Sequence, residues 1–365
     1  MRILTALLIF GTLVAACSGP GGDNGDPTAP QVGGGEQQAA TTPIIGADGG
    51  DQSTSTDSGV PTQPPTGEPL PSGDQQGQTQ PPVDPQPTTP VPNAPTQPQT
   101  SPHENLLPTY RIISYYGHPS TPTMGILGSG TKDELLVRLQ NQAAEYSAID
   151  PATPNKLAFE IIATVAQPYP GPEGTYLLYT GDEWIGEYVD FATANDMIVI
   201  LDLQIGHNTI ENEINRVRHW LALPNVHVAL DPEFATAAND IPRPDRVPGS
   251  LIGEISGYQV QTAIDMLDAI VAENNIPNKV LIVHQFEEEM IYEKQVIVPK
   301  PGVDIVVDVD GFGPPANKIG GYEHFVRDEL IEYGGIKLFF TQDDPMLDPA
   351  TVIGLDPSPA VVIYQ

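Results

Sequence analysis

Apolar and polar positions along residues 107–365 form a regular succession of strand-like and helix-like segments. Short, almost continuously apolar runs alternate with segments whose apolar residues recur at helical spacing. The pattern predicts eight strands, at residues 111–117, 157–166, 197–205, 226–230, 279–286, 303–309, 336–341 and 360–365.

The segments between these strands carry helix signals. Thr131 and Glu134 have the spacing of a capping box, and Ser256 begins a long helix that runs to about residue 274. Gly334 and Gly335 would end a helix that begins near residue 322. Further helical stretches are predicted at residues 182–195, from 208 onward and at 287–292.

The order of these elements predicts the fold. Continuously apolar strands separated by helices are typical of a parallel sheet covered by helices. Eight such units over residues 105–365 predict an α/β fold, a TIM-like (β/α)₈ barrel. The pattern stops at the eighth strand, so we expect the last outer helix to be missing or replaced by the segment before the first strand. An open doubly wound sheet is the alternative, but no Gly-rich phosphate loop follows the first strand.

The first 17 residues predict export. Arg2, an apolar run and small residues form a signal peptide too short for a membrane span. Val14-Ala-Ala-Cys17 resembles the lipobox of bacterial lipoproteins, which implies lipidation of Cys17 and a membrane-anchored protein in the cell envelope, outside the cytoplasm. The alternative is an ordinary secretory signal. Cys17 is the single cysteine, so no disulfide forms within the chain.

Composition predicts a disordered, acidic linker at residues 18–104. Pro, Gly, Thr, Gln and Ser dominate this stretch, and no lysine or arginine balances its acids. The whole chain has 47 acidic and 15 basic residues, a net charge of −32. This balance argues against binding to nucleic acid, and we expect a monomer without a cofactor.

Polar residues gather at the carboxyl ends of the predicted strands, where barrel enzymes build their sites. Asp231 and Glu233 are spaced i, i+2 after the fourth strand, which puts both on one face. Glutamate is a poor turn former, so its position after this strand predicts a functional role for Glu233. The predicted catalytic residues are Glu233, Asp231, Asp310 and Asp202.

Other residues near the strand ends are candidates for ligand binding: Tyr115, Tyr116, His118, Gln204, His284, Gln285, Phe286 and Tyr364. Tyr115 and Tyr116 alternate faces, so at most one points into the barrel. His284 has a structural alternative, a hydrogen-bonded core histidine. Asp202 and Asp310 have the alternative of capping loops, and Asp343 and Asp344 are typical of a turn.

Several motifs carry a resemblance. Residues 115–119 (YYGHP), 230–234 (LDPEF), 283–286 (VHQF) and 310–313 (DGFG), with 124–128 (MGILG), together resemble a family of bacterial secreted and lipoprotein barrels of unassigned function. A partial resemblance is to chitinase-type glycosidases, whose fourth strand ends in Asp-x-Asp-x-Glu. That resemblance implies that Glu233 is the acid and Asp231 steadies an acetamido group; Ala229 replaces the earlier acid.

Three functions follow from these residues. The first is a glycoside hydrolase-like enzyme acting on a polysaccharide, with Glu233 as proton donor. The second is a barrel on the same scaffold that binds a glycan or the cell wall without cleaving it. The third is a metal-dependent hydrolase using His118, His284 and some of the acids, although no familiar metal-binding spacing occurs.

Overall fold

The computed structural model describes residues 105–238, 241–242 and 246–365. The predicted signal peptide, Cys17 and the linker lie outside the described residues.

Eight parallel strands close into a barrel, which confirms the predicted fold class. Strand β1 pairs with β2 on one side and with β8 on the other, so the sheet has no open edge among these eight strands. The strands are β1 Arg111–Gly117, β2 Asn155–Ala166, β3 Ile198–Gln204, β4 Val226–Asp231, β5 Lys279–Gln285, β6 Val303–Val309, β7 Tyr333–Leu338 and β8 Val361–Tyr364. A further strand, Leu177–Tyr179, pairs antiparallel with the end of β2.

Helices cover the outer side of this barrel. The predicted capping box of Thr131 and Glu134 forms at α1, and Ser256 begins α4 as predicted, in a capping box with Gln259. The helices are α1 Lys132–Ile149, α2 Asp182–Ala194, α3 Ile210–Leu221, α4 Gly257–Asn274, α5 Pro315–Tyr322 and α6 Pro349–Ile353. A π-helical turn, Glu323–Asp328, continues α5. Between β5 and β6 the chain forms the short 3-10 turns Glu288–Met290 and Lys294–Val296. No helix of the described residues has the length and apolar character needed to cross a bilayer.

Strand alternation divides the core into two layers. Alternate residues such as Ile112, Ile200 and Val306 fill the barrel interior, whereas their neighbours pack against the helices. The segment before β1 fills the amino-terminal end of the barrel, because Leu106, Leu107 and Tyr110 belong to the interior cluster. That segment therefore closes the amino-terminal end of the barrel. It does not take the place of the outer helix that would follow the eighth strand.

The predicted end of the helix near Gly334 is wrong. Gly334 and Gly335 lie inside β7, and the helical segment ends earlier, at Asp328. A Cβ on Gly334 would lie 2.4 Å from the Tyr322 hydroxyl, so its absence lets the helix pack against the strand. A Cβ on Gly335 would lie 2.8 Å from Asp308 Oδ1 inside the barrel. The two glycines are needed because Tyr322 and Asp308 approach the β7 backbone closely. In the sequence alone, the same pair resembles the end of a helix.

We predict that Gly334→Ala destabilises the barrel by about 1–3 kcal/mol through overpacking. The Tyr322 ring is fully buried, and its hydroxyl donates a hydrogen bond to the Pro357 carbonyl at 2.8 Å, so it has little room to shift. Gly320→Ala is the control, since a Cβ there meets nothing within 4 Å. Urea unfolding of both variants checks this; equal stability of the two would contradict it.

Candidate functional site

Charged side chains meet inside the carboxyl-terminal half of the barrel. They come from six successive strands and the residues that follow them: Glu160, Asp202, Asp231, Glu233, His284, Asp308, Asp310 and Lys337. All are buried except Glu233, which keeps partial exposure. Six carboxylates thus face two potential cations in one enclosed space. Such a cluster is costly unless the charges are paired or neutralised.

His284 is held between carboxylates on both sides. Its Nδ1 lies 3.0 Å from Asp308 Oδ2, and its Nε2 lies 3.0 Å from Glu160 Oε1. The register of β5 and β6 sets the first contact by aligning His284 with Asp308. Burial alone would lower the pKa of His284, but these hydrogen bonds raise it well above its usual value. The ring is therefore an imidazolium that donates from both nitrogens.

Lys337 supplies the second cation. Its Nζ lies 3.1 Å from Asp310 Oδ1 and 3.2 Å from Asp310 Oδ2. The same ammonium lies 3.6 Å from the centroid of the Tyr116 ring, within the range of a cation–π interaction. Burial opposes its charge, but Asp310 and Glu160 more than offset this and raise the pKa of Lys337. Lys337 is therefore a fixed positive charge in the site.

Tyr116 and Gln204 fix the deeper acids. The Tyr116 hydroxyl donates to Asp202 Oδ2 at 2.8 Å, and burial raises the pKa of Asp202 to about 6. The Gln204 amide oxygen accepts from the Ala166 backbone N–H at 2.7 Å, which leaves its Nε2 to donate to Asp231 Oδ2 at 3.5 Å. Both side chains thus position carboxylates.

Asp231 and Glu233 form a linked pair at the end of β4. The chain turns through the 3-10 segment Pro232–Phe234, and Asp231 Oδ1 accepts the backbone N–H of Glu233 at 3.0 Å. Burial, followed by the nearby charge of Asp202, raises the pKa of Asp231 to about 7. Burial, followed by the charge of Asp231, raises the pKa of Glu233 to about 8. At neutral pH Glu233 therefore holds a proton at the partly exposed edge of the cluster.

Within this cluster, three buried carboxylate oxygens have no hydrogen-bond partner in the described part of the chain: Glu160 Oε2, Asp202 Oδ1 and Asp308 Oδ1. Burial raises the pKa of Glu160 as well as that of Asp202. Burial thus shifts both groups toward the neutral form and makes their ionisation in this space more costly.

Tyr115, Tyr364 and Gln285 lie outside this site, contrary to their prediction as ligand-binding residues. Tyr115 and Tyr364 belong to the layer between the strands and the helices, and the Tyr364 hydroxyl shares a 2.7 Å hydrogen bond with that of Tyr146 on α1. Gln285 follows the inward-facing His284, and its amide donates to the Glu287 carbonyl at 3.1 Å. The cause is strand alternation, which turns neighbouring residues to opposite faces.

His118 and Phe286 lie in the loops after their strands. His118 Nδ1 accepts from the Ser120 backbone N–H at 3.3 Å, so this ring orders a turn. Phe286 is partly buried and packs against the outer core. The geometry therefore assigns both residues to loop structure. Asp343 also orders a turn, because it accepts backbone N–H groups from Gly313 at 2.8 Å and from Phe339 at 2.9 Å.

Glu160, Asp308 and Lys337 are the members of the cluster that are absent from the predicted site residues. All three lie within predicted strands, at positions where an apolar residue is expected, and all three point into the barrel. A charged residue inside an apolar strand, at the parity of Asp202 and His284, is the signal that would have found them.

A metal ion fits the interior poorly. His284, Asp308 and Asp310 place possible ligand atoms within 4.8 Å of one another. However, both ring nitrogens of His284 contact carboxylates, and both oxygens of Asp310 contact Lys337. An imidazolium has no lone pair to give to a metal. The two organic cations thus take the places that a metal would need.

No protein-family model matches the chain, and no curated protein matches it at a significant level.

We predict that the stability of the barrel falls as pH rises from about 5 to about 9. The pKa values of Asp202, Asp231 and Glu233 lie at about 6, 7 and 8 in the folded state, above their ordinary values. Groups with raised folded pKa values stabilise the fold at low pH and lose that contribution as pH rises through those values. The raised pKa of His284 acts in the same direction.

Urea unfolding across that pH range measures the effect. Asp231→Asn should reduce the decline by about 1–3 kcal/mol, since it removes one buried ionisation. Asp190→Asn, at an exposed position on α2, should leave the decline unchanged. A wild-type stability that is flat across the range would contradict the prediction.

Proposed function

We propose that this barrel is a glycoside hydrolase-like enzyme that acts on a polysaccharide, with Glu233 as the proton donor. The observation that carries the proposal is the Asp231–Glu233 pair at the carboxyl end of β4, where Glu233 is partly exposed and has a pKa of about 8. Glycosidic cleavage requires an acid that is still protonated at the working pH. Glu233 meets this requirement at neutral pH.

The other carboxylates take different roles in this proposal. Asp231 lies next to the acid and raises its pKa, and it is the group that the chitinase resemblance assigns to a substrate's acetamido group. Asp310 is the candidate for the second carboxylate across the bond. Asp202 is fully buried and accepts a hydrogen bond from Tyr116, so it acts as a positioning residue deeper in the barrel than Asp231.

The ion pair between Lys337 and Asp310 favours a second candidate function, a glycan-binding barrel without turnover. Both oxygens of Asp310 lie within 3.2 Å of the Lys337 ammonium. A carboxylate held this way is a weaker nucleophile or base, because its lone pairs are already engaged. Substrate binding must displace or share this contact if cleavage is to occur.

Phe312 is a candidate platform for a sugar ring. It follows Asp310 by two residues, its side chain is 53% exposed, and its ring meets the edge of Phe339 with centroids 5.8 Å apart. The Phe339 ring lies 5.6 Å from Lys337 Nζ, which connects Phe312 to the charged cluster. Lys318 donates to the Gly311 carbonyl, and Asp343 accepts from the Gly313 N–H, so the loop is fixed on both sides of the ring.

The location of the protein is part of the proposal. A lipid on Cys17 would hold the chain at a membrane of the cell envelope, and residues 18–104 would tether the barrel at a distance from it. This rests on the lipobox-like sequence and on the composition of the linker.

We predict that Glu233→Gln lowers kcat about 10²–10⁴-fold, the usual contribution of a general acid. Chitohexaose and cellohexaose serve as probes, with products separated by chromatography and binding measured by calorimetry. Wild-type activity should fall as pH rises through about 8, where Glu233 loses its proton. Binding should survive in Glu233→Gln, and Glu289→Gln, at an exposed position after β5, is the control.

The two functions differ in their outcome. Measurable affinity without turnover in the wild type would favour the binding barrel over the enzyme. Turnover that persists in Glu233→Gln would remove this residue from the mechanism.

We predict that Phe312→Ala weakens oligosaccharide binding about tenfold, through the loss of an aromatic contact surface. Phe312→Trp should retain binding. Leu330→Ala is the control, because this residue is also well exposed, at 42%, but follows the π-helical turn and no strand end. Affinity measured in the Glu233→Gln background separates binding from cleavage, and unchanged affinity in Phe312→Ala would contradict the platform.

A further inference from the structure

A second cluster of metal-ligating side chains lies outside the barrel interior. It is formed by Glu288, from the 3-10 turn after β5, by His324, from the π-helical turn that follows α5, and by Glu329, the first residue after that turn. One ligand atom from each of the three residues lies within 4.8 Å of the others. His324 Nε2 and Glu288 Oε2 are 2.7 Å apart, and their side chains are 52% and 60% exposed. Solvent and ions therefore reach this cluster directly.

The π-helical turn brings His324 and Glu329 together. Hydrogen bonding in a π-helix runs from i to i+5, so residues five apart lie above one another. In an α-helix the same spacing would separate them by about 140° around the axis. The turn is anchored by Phe325 and Val326, whose side chains are buried in the core. The turn, which ends directly before Glu329, therefore favours the approach of the two side chains, whose ligand atoms lie within 4.8 Å of each other.

From this geometry we propose a surface site for a divalent zinc-class metal ion, with Glu288, His324 and Glu329 as its ligands. An imidazole nitrogen with two carboxylate oxygens is a donor set that suits zinc, whereas calcium and magnesium prefer oxygen ligands alone. Ligand atoms about 2.0–2.2 Å from one ion are at most about 4.4 Å apart. Small rotations of the exposed Glu288 and His324 side chains reach that separation.

Lys294 acts as a competitor for the metal. Its Nζ lies 2.5 Å from Glu329 Oε2, so an ammonium contacts one of the proposed ligands. The ion must displace this contact or share Glu329 with it, and two cations close together repel each other. The proposal therefore requires that removal of the lysine charge tightens metal binding. An ordinary surface ion pair between His324 and Glu288 makes no such requirement.

Metal binding would join two parts of the chain that flank β6. Glu288 belongs to the loop that leaves β5, and His324 and Glu329 precede β7. An ion that bridges them stabilises the folded state in proportion to its concentration. This site is independent of the glycosidase proposal, since none of its ligands belongs to the interior cluster.

The test is calorimetric titration of the full chain with zinc chloride at pH 7.5, in a Cys17→Ser background that removes the thiol. We expect one equivalent of zinc, a loss of at least tenfold in affinity for His324→Ala, and tighter binding for Lys294→Met. His219→Ala is the matched control, because His219 is 54% exposed and also lies near a carboxylate, at 3.7 Å from Asp182.

The outcomes separate the site from adventitious binding. Loss confined to His324→Ala, together with a rise in unfolding temperature on zinc addition that this variant lacks, supports the proposal. Equal affinity in the wild type and His324→Ala, or an equal loss in His219→Ala, would overturn it. Unchanged affinity in Lys294→Met would also overturn it, because Glu329 would then not bind the ion. Circular dichroism of each variant confirms that the fold is intact.

Discussion

The balance of charge inside the barrel is the constraint on which the rest of the structure depends. Six carboxylates share an enclosed space with one imidazolium and one ammonium, and ionising all of them there would be prohibitive. His284 and Lys337 compensate the acids that they contact, Asp308 and Asp310 among them. Burial, together with the charges of neighbouring acids, raises the pKa values of Asp202, Asp231 and Glu233 to about 6, 7 and 8, so Glu233 is the acid that most readily keeps a proton at neutral pH.

A glycine in β7 leaves the space that this cluster occupies. Gly335 is aligned with Asp308 in the pairing of β6 and β7, and a side chain there would take the room that the carboxylate occupies. Gly334, on the other face, admits the Tyr322 ring from the helical layer. One pair of glycines thus serves both the charged interior and the packing of the outer layer.

The same charge balance gives the acids different chemical roles. Asp202 and Glu160 are fully buried and have no access to a substrate, whereas Glu233 is protonated and partly exposed. Asp310 is nearly as buried as Asp202 and Glu160, but it forms an ion pair with Lys337. An arrangement with one proton donor at the rim and one compensated carboxylate below it suits a glycosidase, and it also suits a site that only binds a polar ligand. The Lys337–Asp310 contact is the feature that decides between them.

The sequence by itself determined the barrel. Eight apolar runs with helices between them specify a parallel, covered sheet, because each strand must bury both faces, and capping residues such as Thr131 and Ser256 fixed helix starts. It also located Asp231, Glu233 and Asp310, because strand ends in such a sheet converge on one edge.

Tertiary structure decided the rest. Whether Tyr116 or Tyr115 faces inward depends on the absolute register of β1, which local pattern leaves open. Gly334 and Gly335 resemble a helix stop until Tyr322 and Asp308 are seen to need their space. Glu160 and Lys337 differ from their neighbours in the sequence only as charges inside apolar strands, and the closed barrel is what brings β2 and β7 to the same interior.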